Sequence, residues 1–177
     1  MENIKVTPSS FKGEVNIPPS KSISHRAIIS ASLSEGISNV SNVDFSDDII
    51  ATLEGMKSLG VEVLEIKDDK EKGTSTVTVK GTSDLKIVNS EIDCFESGST
   101  IRFLMPIATL ANGEIEVTGR GRLVERPMDT YYRIFERQNI KYKTTDGKLP
   151  VTIKGKIKPD TFEMEGDISS QFITGLL

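Results

Sequence analysis

Apolar and polar residues alternate with a period of two in Glu14-Val15-Asn16-Ile17, Thr76-Val77-Thr78-Val79, Glu114-Ile115-Glu116-Val117 and Val151-Thr152-Ile153. That is the pattern of strands with one buried face. Between them, apolar residues recur at spacings of three and four over residues 22–33, 47–59, 99–111 and 128–138, which predicts helices there. The polar stretch Lys67–Thr74 reads as a hairpin or connecting loop, and no low-complexity linker interrupts the pattern. The expected fold class is therefore α/β throughout.

The pattern also repeats. Asp47–Gly81 and Asp129–Gly155 each run helix, short turn, strand, polar loop, strand, and their closing glycines lie 74 positions apart. A second set of positions recurs at nearly the same period: an apolar/polar strand, a Ser/Gly-rich turn, then a helix. Its members are Val15–Ile17 leading to Ser20-Lys21-Ser22, Ile92–Phe95 leading to Ser97-Gly98-Ser99-Thr100, and Phe162–Met164 leading to Ser169-Ser170-Gln171. Ser22, Ser99 and Ser170 are separated by 77 and 71 positions. Serine is a good helix N-cap, so a single instance would be unremarkable; three at one period suggest copies of one unit, with Gly166–Leu177 opening a third.

Composition narrows the chemistry. The 177 residues carry 22 Lys+Arg against 26 Asp+Glu, with one His, one Cys and no Trp. A formal charge of -4 gives no sign of a nucleic-acid surface. The lone Cys94 excludes an intrachain disulfide framework or a zinc ribbon and fits a reduced, cytoplasmic setting. The longest apolar run, Phe103–Ala111, is about half of a membrane span, and the first residues lack the apolar segment of a secretory signal.

Within this acidic chain the basic residues cluster at turns. A helix N-terminus offers free N–H groups and the positive end of the dipole, so three such ends facing one point would hold an anion. Lys21 precedes the first helix, Arg26 lies a turn inside it, and Arg102 follows Ser99 by three residues. Gly119-Arg120-Gly121-Arg122-Leu123-Val124-Glu125-Arg126-Pro127 adds three arginines on a glycine-bounded path, with Glu125 a candidate partner for one of them and Pro127 able to open the next helix. A small polyanionic ligand is the economical explanation. His25 reads as a helix-surface or boundary residue, Cys94 as an inert core thiol, and Ser46-Asp47-Asp48 as a helix cap with an acidic first turn rather than a metal site.

Residues 13–27, Gly-Glu-Val-Asn-Ile-Pro-Pro-Ser-Lys-Ser-Ile-Ser-His-Arg-Ala, closely resemble the N-terminal signature of the 5-enolpyruvylshikimate-3-phosphate synthase family. Glu96-Ser97-Gly98-Ser99-Thr100-Ile101-Arg102, Gly121–Met128 and Asp167-Ile168-Ser169-Ser170-Gln171-Phe172 resemble further motifs of that family, in order. Glu96–Ser99 stands where many members read Asn-Ala-Gly-Thr. The related transferase acting on UDP-N-acetylglucosamine usually has Lys-Asn where this chain has Lys21-Ser22, which favours the shikimate enzyme. A stand-alone phosphate-ligand binding module is the non-enzymatic alternative.

The resemblance implies transfer of the enolpyruvyl group of phosphoenolpyruvate to the 5-hydroxyl of shikimate 3-phosphate, with release of phosphate and no metal or organic cofactor. It implies that Ser22 and Arg26 hold shikimate 3-phosphate and that Lys21, the catalytic position present here, lies between the two substrates. Ser169 and Ser170 would take the 3-phosphate, Gln171 would touch both ligands, and Gly98 and Arg122 would contact phosphoenolpyruvate. Arg102 and Arg126 would organise the site. The implied fold is a set of β-α-β-α-β-β units with helices packed inside sheets, an inside-out α/β barrel. Residues 1–12 would belong to the other domain, and residues 13–177 would form about two of three units of the N-terminal substrate-binding domain. Family members are monomers of roughly 430 residues, the size of a domain pair. The proton-transferring Asp and Glu would lie outside these residues, and faces meant for a third unit would make self-association of the fragment plausible.

Overall fold

The computed structural model describes residues 4, 5, 7, 8, 10, 12–15 and 17–177. In chain order the elements are α1 (Lys21–Leu33), β1 (Gly36–Val43), α2 (Asp47–Ser58), β2 (Glu62–Asp69), β3 (Thr74–Gly81), β4 (Glu91–Asp93), α3 (Gly98–Ala108), β5 (Glu114–Thr118), a 3-10 turn (Gly121–Glu125), α4 (Asp129–Arg137), β6 (Lys141–Thr145), β7 (Lys148–Lys154) and α5 (Ser170–Leu176). The strands form two sheets, ordered β1-β3-β2 and β4-β5-β7-β6.

The repeat seen in the sequence is a structural one. α1-β1-α2-β2-β3 corresponds to α3-β5-α4-β6-β7, and in each set the third strand pairs antiparallel with both others. β4 adds to the second sheet, parallel to β5. Lys67–Thr74 contains the turn of the β2–β3 hairpin, as expected.

β1 is absent from the alternation pattern for a physical reason. Its sequence, Gly-Ile-Ser-Asn-Val-Ser-Asn-Val, is half polar, and the register shifts between Val40 and Val43, where Asn42 has φ of +58°. A bulge of this kind breaks the two-residue period. Conversely, no strand forms among the described residues of 14–17, where Val15 and Ile17 are 86% and 87% exposed; Asn16 lies outside the described residues. Residues 162–164 are likewise irregular. Among the described residues neither segment joins a hydrogen-bonded ladder, and alternation alone cannot supply a partner.

α3 is the most enclosed helix. Ile101, Phe103, Leu104, Met105, Pro106, Ile107 and Ala108 are all buried, with α2 and α5 packed against it. Helices that are apolar on every side belong in an interior. Pro106 lacks the N–H that would close onto the carbonyl of Arg102 four residues earlier. That carbonyl is satisfied instead by the Tyr131 hydroxyl from α4, whose oxygen also lies 3.2 Å from the Phe172 carbonyl of α5. Three helices thus meet where the proline opens the ladder. Pro127 does not open α4: the helix begins at Asp129 behind an Met128 cap.

Candidate anion-binding site

Three serines cap the helices that carry the expected ligand residues. Ser20 accepts the N–H of Ile23 before α1, Ser97 that of Thr100 before α3, and Ser169 that of Gln171 before α5. Ser22 and Ser99 therefore lie just inside their helices, and Ser170 is the first residue of α5.

Side chains from these turns meet one another. Arg26 donates to the Ser22 carbonyl at 2.8 Å and to the Ser22 hydroxyl, and its other nitrogen reaches Thr174 Oγ1 on α5 at 3.2 Å. Gln171 joins α5 to α3 twice: Nε2 donates to Ser99 Oγ at 2.6 Å, and Oε1 accepts from Arg102 Nη1 at 2.9 Å. Arg26 stacks over the Phe103 ring at 5.0 Å and Arg102 over Phe172 at 5.1 Å, contacts that fix long cationic side chains in place.

Gly98 opens α3 beneath two guanidinium groups. A Cβ there would lie 2.3 Å from Arg126 Nη1 and 3.2 Å from Arg102 Nη1, so only glycine leaves room for both. Burial, and then the neighbouring Arg126, hold the Arg102 guanidinium below its ordinary value. At Gly121, φ is +56° and the Glu96 carboxylate occupies the space a side chain would need. The tight glycine path expected in this loop is therefore present, closed by the carboxylate at position 96.

The charges do not cancel. Lys21 pairs with Asp48 at 3.4 Å and Arg120 with Asp93 at 2.6 Å, but among the described residues no carboxylate lies within 4.0 Å of Arg26, Arg102, Arg122 or Arg126. Glu125 pairs with Lys148 at 2.7 Å, not with an arginine of its own loop. Arg122 is exposed and makes no hydrogen bond to the cluster among the described residues, and Ser170 is exposed between the half-buried Ser169 and Gln171.

His25 is not a surface or boundary residue: it is 1% exposed and lies 2.7 Å through Nδ1 from Thr52 Oγ1. Burial, with Lys21 and Arg26 adding to it and Asp48 opposing, pushes its pKa down to about 4. Cys94 is the buried thiol expected, its pKa raised by burial and by Asp93. Ser46 does precede α2, though its side chain makes no cap bond. Thr174 and Thr52 were not legible as site or near-site residues. Thr174 follows Ser170 by four positions, the one spacing that could have placed it on the same helix face.

The fold and the site define an α/β repeat protein in which arginine and glutamine side chains join the serine-capped N-termini of α1, α3 and α5. Residues 6–177 match the EPSP synthase (3-phosphoshikimate 1-carboxyvinyltransferase) family, and the chain belongs to it. It is 59% identical to the 3-phosphoshikimate 1-carboxyvinyltransferase of Clostridium novyi, over all of this chain and 41% of that protein. It is 51% identical to the same enzyme of Clostridioides difficile, again over all of this chain and 41% of the relative. The solved EPSP synthase of Acinetobacter baumannii superposes with a TM-score of 0.69 at 27% identity, covering 94% of this chain and 37% of that one. The chain spans about two-fifths of the length of these relatives. Its fold is that of the family, repeated units with helices enclosed by sheets.

Proposed function

We propose that this chain carries the shikimate 3-phosphate side, and part of the phosphoenolpyruvate side, of an enolpyruvyl transfer site in aromatic amino-acid biosynthesis. The observation that supports it most is the set Arg26, Arg102 and Arg126, held beside the N-termini of α1, α3 and α5 with no carboxylate partner among the described residues. Two anionic substrates repel each other, and fixed positive charge offsets that repulsion as they approach. In this reading Ser22 and Arg26 hold shikimate 3-phosphate, Ser169 and Ser170 its 3-phosphate, and Gln171 touches both ligands. Gly98 offers its N–H, and Arg122 its guanidinium, to phosphoenolpyruvate. Lys21, released from its exposed contact with Asp48, lies between the substrates. The reaction joins the 5-hydroxyl oxygen to C2 of phosphoenolpyruvate as the hydroxyl loses its proton and C3 gains one; the C2–O bond to phosphate then breaks as C3 gives up a proton, restoring the double bond.

Residues 13–177 would form about two units of a substrate-binding domain, and 1–12 a strand of a second domain, in a cytoplasmic enzyme. No helix among the described residues is long and apolar enough to cross a membrane. The test is calorimetric or NMR titration of the chain with shikimate 3-phosphate. Saturable binding that Arg26→Ala abolishes supports the assignment; no saturation at millimolar ligand, or binding indifferent to Arg26→Ala, refutes it. Joined to the remaining part of a full-length relative, the chain should support phosphate release with shikimate 3-phosphate as acceptor and not with UDP-N-acetylglucosamine.

A further inference from the structure

Beneath the anion site, buried polar side chains of three helices form a continuous chain. His25 Nδ1 on α1 lies 2.7 Å from Thr52 Oγ1 on α2, which lies 2.7 Å from Thr100 Oγ1 on α3. Thr100 Oγ1 is 2.8 Å from Ser97 Oγ, and Ser97 Oγ accepts the Thr100 N–H at 3.1 Å. The Asp48 carbonyl lies 3.3 and 3.0 Å from the two threonine hydroxyls, an alternative acceptor for either. Thr52 and Thr100 are fully enclosed and Ser97 nearly so.

Buried hydroxyls need partners, and mutual satisfaction alone would account for such a cluster. Its position does more. Ser97 caps α3 and immediately precedes Gly98 and Ser99, His25 immediately precedes Arg26, and the Asp48 side chain meets Lys21. Every link therefore ends beside a residue of the proposed site. A hydroxyl has one proton to give. If His25 Nδ1 is the acceptor, Thr52 donates to it and receives from Thr100. If Nδ1 carries the proton, Thr52 must turn toward Thr100 or the Asp48 carbonyl. The state of one ring nitrogen thus sets the order of donors up to the cap of α3.

We infer that His25, Thr52 and Thr100 are positioning residues that hold the N-terminus of α3, with the Gly98 N–H and Ser99, in register with Lys21, Ser22 and Arg26 on α1. This rests on the ligand reading above for its consequence in binding, but not for the coupling of the helices. The experiment compares Thr52→Val, which removes the hydroxyl at nearly constant volume, with Thr52→Ser, which keeps it. In ligand-free chain, Thr52→Val should move the Gly98 and Thr100 amide resonances while Thr52→Ser leaves them close to wild type. Shikimate 3-phosphate and phosphoenolpyruvate, titrated separately, should bind Thr52→Val about threefold to tenfold more weakly, the cost of one hydrogen bond, with Thr52→Ser restoring affinity. Unmoved amides in Thr52→Val, or equal effects of the two variants, overturn the inference. A wild type that binds neither ligand refutes the ligand reading, and the amide comparison still decides the coupling. Should Thr52→Val not fold, Thr100→Val against Thr100→Ser poses the same question at the next link.

Discussion

Arg102 Nη1 donates to Gln171 Oε1 at 2.9 Å across the gap between α3 and α5, and no carboxylate among the described residues stands near enough to share that charge. A neutral amide orients the guanidinium without neutralising it. Gln171→Ala should weaken binding of shikimate 3-phosphate, by about tenfold, and cost about 1–2 kcal/mol of stability, since it removes two half-buried hydrogen bonds, one of them to a guanidinium. Gln171→Glu should act oppositely on the two quantities: a carboxylate beside Arg102 adds up to about 1 kcal/mol of stability and lowers anion affinity further. Paired calorimetry and urea unfolding check both signs.

Gly98→Ala tests the space beneath the arginines. The added methyl would meet the far end of the Arg126 side chain, which can swing aside, so the chain should fold with a loss below about 1 kcal/mol. Phosphoenolpyruvate affinity should nevertheless fall by about tenfold or more, because Arg126 and the Gly98 N–H can no longer occupy their places together. A variant that binds as wild type does would remove Gly98 from the site.

His25 predicts a pH dependence of stability. Unfolded, the ring takes up a proton below pH 6.5; folded, it does so only near pH 4. Between those values unfolding consumes a proton, so stability falls as pH is lowered through that window and is fully present above it. His25 should contribute a loss of about 2–3 kcal/mol by pH 4.5. In urea titrations His25→Asn should show a shallower decline than wild type from pH 7 to 4.5; parallel declines would place the ring in solvent.

Tyr131→Phe should cost about 1–3 kcal/mol, the penalty for leaving the Arg102 carbonyl without a donor, and lower the urea midpoint with an unchanged slope. Wild type should also lose stability in alkali, because burial holds the phenol above its ordinary value and unfolding would release the proton. The variant should lose less over the same rise in pH.

Much of this was legible in the chain itself. The windows 22–33, 47–59, 99–111 and 128–138 became α1 to α4 with ends displaced by three residues at most, since their apolar faces are long and capped by Ser20 and Ser97. β1 was hidden by its serines, asparagines and bulge. Residues 14–17 and 162–164 show the opposite failure, since pattern reports a strand's faces but not whether an edge awaits it. The ligand turns were visible from Ser, Gly, Lys and Arg. The pairing of Gln171 with Ser99 was not, because it joins residues 72 positions apart. Nor was the burial of His25, whose partner is a threonine two elements away that carries no signature of its own.

Pro106 makes α3 depend on its neighbour in a way ordinary helix repair would undo. A residue with an N–H at that position would compete with the Tyr131 hydroxyl for the Arg102 carbonyl, and a bond made within α3 could be gained at the expense of the one that crosses to α4. The Arg102 side chain, on the same residue, reaches Gln171 in the proposed site. A gain in local helicity at position 106 would therefore be felt as looseness at the ligand turn of α5, so this helix is better served by a missing hydrogen bond than by a complete ladder.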